Sequence, residues 1–418
     1  MIKRDFHVHL HGCLTAEQLW LIGRDSYKKQ SKMLDWYASE YKKAWGRTPN
    51  YSSYWASEAG FDLLKQDYIF EHKSDFQKFQ AKFNLIIALC SISSDDFAIQ
   101  EQIIRSVNDH GLDYFEARTL LPFRFSAEEA YTYLKNLSNL VTNLNQELHM
   151  KTSIVFSLFR DNVLAEKQYL WIRDFMDKHA DLSRVISGID FAYAEESHPP
   201  KDKIALFHKF RKDNQTKRAL NLLYHVGESF SDKSIFSAIR WILEVQSLGA
   251  DRLGHAIALG IDPENYRGSI AKESRSEKID HLHWLIQNKH ELQAYGYDVD
   301  SSSLKRQLDN LPSCEEFLFE YHQETICEAR LFQKAAAGIL KEQQAIIECC
   351  PSSNLRIGNI KDPAYHPLKF FHEHKLDVVL GTDDPGIFNI DWKSEAEFAK
   401  ILLGEAVAQF PPLLAKDH

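Results

Sequence analysis

The chain has 418 residues, 44% of them hydrophobic and 26% charged, and its formal net charge is −9. This composition is that of a globular protein, and it excludes a disordered, a collagenous or a small disulfide-stapled chain. The acidic balance argues against a dedicated nucleic-acid-binding protein, which usually carries a basic excess. We therefore expect no nucleic-acid partner, and we interpret the basic run at 208–218 as a solvated helix face.

Eight short segments rich in apolar and β-branched residues recur along the chain. They cover residues 4–10, 113–119, 152–158, 185–191, 220–226, 251–256, 345–350 and 376–382. Such runs are typical of strands buried on both faces, and most are separated by segments with helical periodicity, such as 128–148 and 232–248. Alternating strands and helices predict a parallel sheet, and eight repeats predict a closed (β/α)8 TIM barrel of the α/β class. We expect one domain over residues 1–418.

Two connections between the predicted strands are much longer than the others. A (β/α)8 core typically needs roughly 250 residues, which leaves about 170 residues for loops and insertions. We predict long helical insertions after strands 1 and 6, at about 13–75 and 257–344. The first carries four tryptophans and should pack as ordered helices, whereas the second contains a charged, serine-bearing stretch near 268–310 that should be exposed and mobile.

The six cysteines form no CxxC pair, so neither a zinc ribbon nor a thioredoxin-type site is indicated. Adjacent Cys349 and Cys350 fit reduced core residues. The sequence starts without the apolar region of a signal peptide and contains no run of 18 apolar residues. These features predict a cytoplasmic protein with no membrane partner, and they leave its oligomeric state open.

His7 and His9 are the first candidate site residues. Residues two apart on a strand face the same way, about 7 Å apart along the strand. The two imidazoles could therefore share one metal ion. His-x-His is also common by chance, and a surface or core pair of histidines is the simpler interpretation of this motif alone.

Three further strand ends carry candidate chemistry. The sequence HVGE at 225–228 ends the fifth strand, His255 ends the sixth, and Asp383 and Asp384 follow the eighth. Each has an ordinary structural interpretation: a hydrogen-bonded core histidine, a helix-capping glutamate or a turn. Their conjunction favours chemistry, because the carboxyl ends of all barrel strands open onto one mouth.

The residue types at these strand ends suit a metal-dependent hydrolytic site. Three histidines and one carboxylate suit one zinc ion per chain with water completing the coordination, although other divalent metals could use the same ligands. An activated water, a histidine that accepts a proton and a glutamate that delivers one can attack an electron-poor carbon.

Blocks spread over nearly the whole chain resemble, in the same order, the adenosine deaminase family of metal-dependent TIM-barrel hydrolases. They are HVHLHG at 7–12, FQKFQAKF at 76–83, SGIDFAYAE at 187–195, HVGE at 225–228, RLGHA at 252–256, CPSSN at 350–354 and LGTDDP at 380–385. The HVGE, GHA and TDDP blocks together are highly specific. The resemblance implies zinc-dependent hydrolytic deamination of the 6-amino group of an adenine nucleoside or nucleotide, giving the inosine-type product and ammonia.

Carried over residue by residue, the resemblance implies a role for each candidate. The zinc ligands would be His7, His9, His225 and Asp383. Glu228 would protonate the purine ring at N1, and His255 would orient and deprotonate the attacking water. Asp384 would hydrogen-bond the ring at N7, the backbone N–H of Gly188 would face N3, and His9 and His11 would complete the substrate contacts.

The main departure from the family pattern is His11, where adenosine-specific members carry an aspartate that contacts the ribose 5′ oxygen. Histidine does not accept hydrogen bonds as a carboxylate does, and it can be cationic. Loss of the negative charge favours a 5′-phosphorylated or 5′-modified adenine compound over adenosine. Some cations of the first insertion could reach a phosphate, although solvated surface residues are the more common interpretation: Arg24, Lys28, Lys29, Lys42, Lys43 and Arg47. Val226 and Ala256, which replace the usual alanine and glycine, add bulk near the site.

Other hypotheses stay open at this point. Another metal-dependent amidohydrolase could use the same barrel, but no evident lysine ends the fourth strand to build a two-metal centre. A catalytically weak barrel that binds a nucleoside is disfavoured because every ligand and both proton-transfer residues are present. A cytidine-deaminase-type site is disfavoured because the HxE at 322–324 is followed by no PCxxC.

Overall fold

The computed structural model of the chain describes residues 3–90 and 97–404. Its strands are β1 (Arg4–His9), β2 (Tyr114–Leu120), β3 (Lys151–Leu158), β4 (Ile186–Phe191), β5 (Asn221–Val226), β6 (Arg252–His255), β7 (Ile270–Ser274), β8 (Glu316–Glu320), β9 (Ile346–Cys349) and β10 (Asp377–Leu380). Its helices are α1 (Ala16–Ser26), α2 (Ser31–Trp45), α3 (Glu58–Tyr68), α4 (Phe76–Leu89), α5 (Ala98–Asp109), α6 (Ala127–Glu147), α7 (Asn162–Lys178), α8 (Ile204–Thr216), α9 (Ile235–Ser247), α10 (Ile257–Gly260), α11 (Arg275–Gln287), α12 (Lys289–Ala294), α13 (Ser301–Asp309), α14 (Gln323–Glu342), α15 (Pro351–Ile357), α16 (Pro367–Glu373), α17 (Pro385–Phe388) and α18 (Trp392–Leu403).

The predicted fold class is confirmed. Eight strands follow one another in the order β1-β2-β3-β4-β5-β6-β9-β10, and helices separate them, as in a (β/α)8 barrel. The observed bounds of these eight strands lie within a few residues of the predicted segments. Continuous apolar runs located these strands reliably, because a strand covered on both faces needs apolar side chains on each.

The stretch near 268–310 forms regular secondary structure, and its expected mobility stays a prediction. This part of the chain forms β7, the helices α11 to α13 and the approach to β8, and β7 pairs with β8 as an antiparallel hairpin. One face of the hairpin is exposed, so its strands alternate exposed and covered residues instead of forming an apolar run. Such short alternating strands, rich in charge, resemble an exposed loop in sequence. The expected exposure is confirmed for α13, none of whose residues is buried.

The chain comprises two compact units, each described by itself below. The first unit consists of Met1–Asp190, Cys350–Asn359 and Leu380–Phe398. The second unit consists of Phe191–Cys349, Ile360–Val379 and Ala399–His418. The expected single domain stays a prediction.

Within the first unit, parallel ladders join β1 to β2 and β2 to β3. A parallel bridge between Val8 and Asp383 joins β1 to the segment that follows β10. The helices α1 to α4 lie between β1 and β2 in sequence, and α2 and α3 meet at a buried polar centre. There the Asp67 carboxylate accepts hydrogen bonds from the hydroxyls of Tyr54 (2.7 Å) and Tyr41 (3.2 Å) and from Arg47.

The segment after α3 is fastened next to the aspartates that follow β10. The backbone N–H of Phe70 donates to the carbonyl of Ile387 at 2.8 Å. Arg356 donates to the carbonyls of Phe70 and Phe388 at 3.0 and 2.6 Å. The first insertion is therefore held against α17, which begins at the residue after Asp384.

Within the second unit, β5 pairs with β6 and β6 with β9, all in parallel. The helix α9 is buried along most of its length and contacts α10, α11 and α14. Among the helices of the described residues, none has both the length and the apolar character needed to cross a membrane.

Candidate active site

In the first unit, His7 and His9 lie side by side at the end of β1. Their ring centroids are 5.7 Å apart, so the two imidazoles face the same way as their spacing predicts. His7 is fully buried, whereas the His9 side chain keeps 21% of its surface exposed. One imidazole is therefore shielded from solvent while its neighbour can reach a ligand.

Asp383 completes a set of three possible metal ligands with the two histidines. Its backbone N–H donates to the His7 carbonyl at 2.8 Å, and its carbonyl accepts from the His9 N–H at 2.7 Å. Its Oδ1 lies 3.6 Å from Nε2 of His7 and 3.3 Å from Nε2 of His9. Tetrahedral zinc ligands about 2.1 Å from the ion lie about 3.4 Å from one another, so these donors fit such an ion. His9, Asp383 and Asp384 also form a group whose ligand atoms lie within 4.8 Å of one another.

Two glycines make the close approach of these segments possible. A Cβ at Gly381 would lie 2.4 Å from Cβ of His7, and a Cβ at Gly12 would lie 1.8 Å from Oδ1 of Asp384. No side chain can be accommodated at such distances without moving its neighbour. Asp383 itself adopts φ = 61°, a left-handed conformation that is uncommon for residues other than glycine. Strained backbone of this kind clusters at functional sites.

Asp5 supports this arrangement and was not predicted from the sequence. Its carboxylate accepts from Thr382 Oγ1 at 2.6 Å, from Thr382 N–H at 3.2 Å and from His7 N–H at 3.3 Å. Burial raises the pKa of the Asp5 carboxyl to about 7, although these hydrogen bonds lower it. The available signal was an acidic residue two positions before His7 on a buried strand, and therefore on the same face.

Arg118 is a second residue that the sequence analysis missed. It lies on β2 and is 1% exposed, and its guanidinium nitrogen is 2.6 and 2.7 Å from the two ring nitrogens of His7. A neutral imidazole has one lone pair, so Nε2 of His7 can bind a metal only while Arg118 donates elsewhere. The Asp190 carboxylate lies 3.8 Å from the same guanidinium nitrogen. The available signal was an arginine inside a buried strand, two residues after Glu116 and therefore on the same face.

His11 follows β1 in a short 3-10 turn and is 8% exposed. Burial lowers the pKa of its imidazole to about 4, so this side chain is neutral at pH 7. Four of the six cations considered for phosphate binding have contacts of their own. Arg47 pairs with Asp67 and Lys43 with Glu40, and Arg24 and Lys28 lie over the rings of Trp20 and Tyr27, respectively.

In the second unit, His225, Glu228 and His255 form a compact group. His225 lies near the end of β5 and His255 ends β6, and their ring centroids are 5.2 Å apart. Glu228 Oε1 lies 3.6 Å from His255 Nε2, and all three side chains are buried. An acid and a base whose polar atoms lie this close can exchange protons with one small molecule that reaches both.

Backbone strain marks the same strand ends. Gly227 has φ = 67°, as the predicted sharp turn requires. His255 and Ala256 also have positive φ values, 63° and 47°, although both carry a Cβ. The N–H of Ala256 donates to the Val226 carbonyl at 3.1 Å. The chain thus turns sharply just after each of the two histidines.

Gly188, the predicted N3 partner, lies in β4 of the first unit, three residues before that strand ends. His9 and His255, by contrast, end their strands. A glycine inside a strand has no side chain in the way of a close approach. The role of its N–H stays a prediction.

The fold and these two groups define a class of protein: a (β/α)8 barrel with histidine and carboxylate side chains at the carboxyl ends of its strands. Comparisons with known proteins agree. A curated adenosine deaminase of Escherichia coli is 43% identical over 58 residues, which span 14% of this chain and 17% of that protein. A Zn-bound amidohydrolase of Burkholderia ambifaria has TM-score 0.55 and 13% identity, with 98% of this chain and 82% of that chain covered. Arabidopsis ADAL complexed with IMP has TM-score 0.56 and 15% identity, with 96% and 86% covered.

A model of the family described as adenosine deaminase matches residues 60–280 and 323–413. The two matched segments cover well over half of the chain, so the chain belongs to the adenosine deaminase family. The match leaves out residues 1–59, which include β1 with His7 and His9, and residues 281–322, which include α12, α13 and β8.

Proposed function

We propose that this protein is a zinc-dependent aminohydrolase that removes the 6-amino group of an adenine nucleoside or nucleotide, giving the inosine-type product and ammonia. Membership of the adenosine deaminase family supports this reaction. The observation that carries the proposal is the approach of Asp383 Oδ1 to Nε2 of both His7 and His9, at 3.6 and 3.3 Å. Two imidazoles and one carboxylate are a donor set typical of catalytic zinc.

Four side chains would hold one zinc ion per chain: His7, His9, His225 and Asp383. When bound, zinc lowers the pKa of a water molecule towards neutrality and so supplies a nucleophile. Other divalent metals could use the same donors. The Zn-bound state of the amidohydrolase from Burkholderia ambifaria supports zinc as the first candidate.

His255 and Glu228 would move the protons of the reaction. His255 would orient the attacking water and take up its proton as the oxygen adds to C6 of the purine. Glu228 would deliver a proton to N1, which allows the C6–N1 double bond to open. As the tetrahedral carbon collapses, the C6–N6 bond breaks and the proton held by His255 passes to the departing amine, which leaves as ammonia. The C6–OH proton returns to Glu228, so the product keeps C6=O and N1–H. The 3.6 Å between Glu228 Oε1 and His255 Nε2 supports this pairing of acid and base.

Three further groups would orient the purine. N7 is a hydrogen-bond acceptor, so Asp384 would contact it in the protonated form, as a donor. The N–H of Gly188 would face N3, and His9 and His11 would complete the substrate contacts. Since the arabidopsis relative is complexed with IMP, 5′-monophosphates belong among the candidate substrates together with nucleosides.

The decisive experiment is a substrate panel with zinc-loaded protein. Adenosine, deoxyadenosine, adenine and AMP through ATP are tested for ammonia release and for the ultraviolet shift from adenine to hypoxanthine. Turnover of at least one of them is expected. Absence of turnover for every adenine compound would refute the proposal.

Two measurements separate this proposal from its alternatives. One zinc ion per chain is expected, whereas a two-metal amidohydrolase would hold two. Glu228→Gln keeps the size of the side chain and removes its acid, so turnover should fall at least about 100-fold, as expected when a general acid is lost. Full turnover by this variant would contradict the acid assignment.

A cytoplasmic location is part of the proposal. Cys314 and Cys327 are exposed cysteines outside any disulfide. A reducing compartment preserves such thiols. Detection of the protein in an oxidising compartment would contradict this assignment.

A further inference from the structure

In the second unit, helix α9 lies directly against the turn that carries Glu228. A Cβ at Gly227 would lie 2.7 Å from Cδ1 of Ile242 and 3.4 Å from Cβ of Ala258. Gly227 is the residue before Glu228, and Ile242 lies in the middle of α9. The backbone at Gly227 therefore packs directly against Ile242, so we expect a shift of α9 to move this turn as well.

The first turn of α9 needs hydrogen-bond partners, as at every helix start. Part of this need is met locally, since the N-cap Ser234 accepts from the N–H of Ser237 at 3.3 Å. A further part is met by the hairpin β7–β8. Tyr321, the residue after β8, accepts at its hydroxyl from the Ile235 N–H at 3.0 Å.

Glu273 of β7 supplies the stronger attachment. Its Oε1 accepts from the Ser237 hydroxyl at 2.5 Å, from the Ser234 hydroxyl at 3.0 Å and from the Ser234 N–H at 3.3 Å. Glu273 is 2% exposed. A buried carboxylate with three donors at a helix start is favoured both by charge-assisted hydrogen bonds and by the helix dipole.

A third contact lies two turns further along α9. Glu277, in the first turn of α11, accepts from Trp241 Nε1 at 3.0 Å and pairs with Arg240. Glu273 and Tyr321 are presented together, because Gly268 N–H donates to the Tyr321 carbonyl at 2.9 Å and Tyr321 N–H donates to the Ser269 carbonyl at 3.0 Å. β8 and Tyr321 lie in the segment that the family match leaves out.

We propose that the hairpin β7–β8 is a positioning device for the general acid: Glu273 and Tyr321 anchor the first turn of α9, and α9 in turn fixes the Gly227–Glu228 turn. Glu273 and Tyr321 are thus positioning residues, which act through α9. This inference rests on the proposed role of Glu228 as the acid.

The test uses Tyr321→Phe, which removes one oxygen atom, together with Glu273→Ala and Glu273→Gln in the full zinc-loaded chain. For Tyr321→Phe and Glu273→Ala we expect kcat to fall at least about tenfold, because small displacements of a catalytic group are costly. KM and zinc content should stay unchanged. The pH profile of kcat/KM should also change in these two variants. The limb that disappears in Glu228→Gln, and that therefore reports Glu228, should move along the pH axis. Glu273→Gln keeps an acceptor oxygen and should restore most of the activity.

Lys272→Ala is the matched control, since Lys272 and Glu316 form an exposed ion pair on the other face of the same hairpin. It should leave kcat and the pH profile unchanged. Hydrogen exchange gives a readout independent of activity: amides of the first turn of α9 should exchange faster in Tyr321→Phe and Glu273→Ala, but not in the control.

The outcomes separate this inference from the proposed function. An inactive wild-type protein would refute the proposed function, and the exchange result would then still decide whether the hairpin anchors α9. Active protein with kcat within twofold of wild type in Tyr321→Phe and Glu273→Ala would overturn the positioning role. Proportional loss of kcat, zinc and folded protein would also overturn it, since that pattern indicates general destabilisation. Should Glu273→Ala fail to fold, Tyr321→Phe decides alone.

Discussion

Glu395 is a buried carboxyl whose ionisation should make the stability of the protein fall with rising pH. It lies in α18 and is fully buried, and its Oε1 accepts from the Ser352 N–H at 2.7 Å while Oε2 accepts from the Ser352 hydroxyl. Burial raises the pKa of this carboxyl from 4.5 to about 7, although both hydrogen bonds lower it. The folded protein therefore holds a proton that the unfolded chain has already released.

The direction and size of the effect follow from this difference. Below about pH 4.5 the group is protonated in both states and its stabilising contribution is fully present. Between 4.5 and about 7 only the unfolded state ionises, so stability is lost as pH rises through this window. A difference of one pKa unit corresponds to about 1.4 kcal/mol, so the total loss of stability across this window is about 3 kcal/mol.

Urea unfolding of wild type and Glu395→Gln at pH 5, 6, 7 and 8 measures this effect. Glutamine keeps an acceptor for the Ser352 N–H and does not titrate. Its stability relative to wild type should improve by about 2.5 kcal/mol between pH 5 and pH 8, because part of the loss already lies below pH 5. Glu397→Gln, on the exposed side of the same helix, is the control and should show no such change. A stability difference between Glu395→Gln and wild type that does not vary with pH would refute the reasoning.

Three further predictions concern the candidate site. Gly12→Ala places a Cβ 1.8 Å from Asp384 Oδ1, so kcat/KM should fall about 100-fold, and the free energy of unfolding should fall by about 1–3 kcal/mol. Unchanged kinetics would show that Asp384 does not contact the substrate. Removal of metal by a chelator should abolish turnover and zinc should restore it; activity that survives metal depletion would refute the metal dependence. Asp383→Asn keeps the shape of the side chain but loses the charge, so zinc binding, measured by competition with a chelating dye, should weaken at least tenfold, roughly the effect of a lost supporting contact.

The site residues at the strand ends were predictable from sequence because their positions follow from two simple rules of strand geometry. A strand with period two places His7 and His9 on one face, and the parallel order of strands places Asp383 beside them, as the 2.7 and 2.8 Å hydrogen bonds between these residues show. The turn at Gly227 was also predictable, because a sharp turn after a buried strand favours glycine.

The supporting residues were harder to predict because they act across long sequence separations. Arg118 and His7 are 111 residues apart, and Asp5 and Thr382 are 377 apart. Neither pair forms a local motif, so only the folded sheet reveals them. The hairpin β7–β8 escaped prediction for another reason: its exposed face carries charge, and its covered face contributes only single residues such as Glu273 to a polar contact.

His11 shows how the structure sharpens the question of substrate. Its imidazole is 8% exposed, and burial lowers its pKa to about 4, so it offers no positive charge to a phosphate at pH 7. His11 would then favour a 5′-phosphate only because it replaces the family aspartate, whose negative charge would repel the phosphate. Two negative charges about 6 Å apart repel by about 3 kcal/mol at an effective dielectric constant of about 20, which corresponds to about 100-fold in affinity.

This reasoning predicts different outcomes for two variants of nearly equal size. His11→Asp should lower the ratio of kcat/KM for AMP to that for adenosine about 100-fold, and the loss should shrink at high salt because screening weakens the repulsion. His11→Asn adds no charge and should leave the ratio within a few fold of wild type. If asparagine lowers the ratio as much as aspartate does, His11 acts by contacting the phosphate through its own imidazole. The preference for a nucleotide would then come from an attraction that the neutral, buried ring supplies as a hydrogen-bond donor.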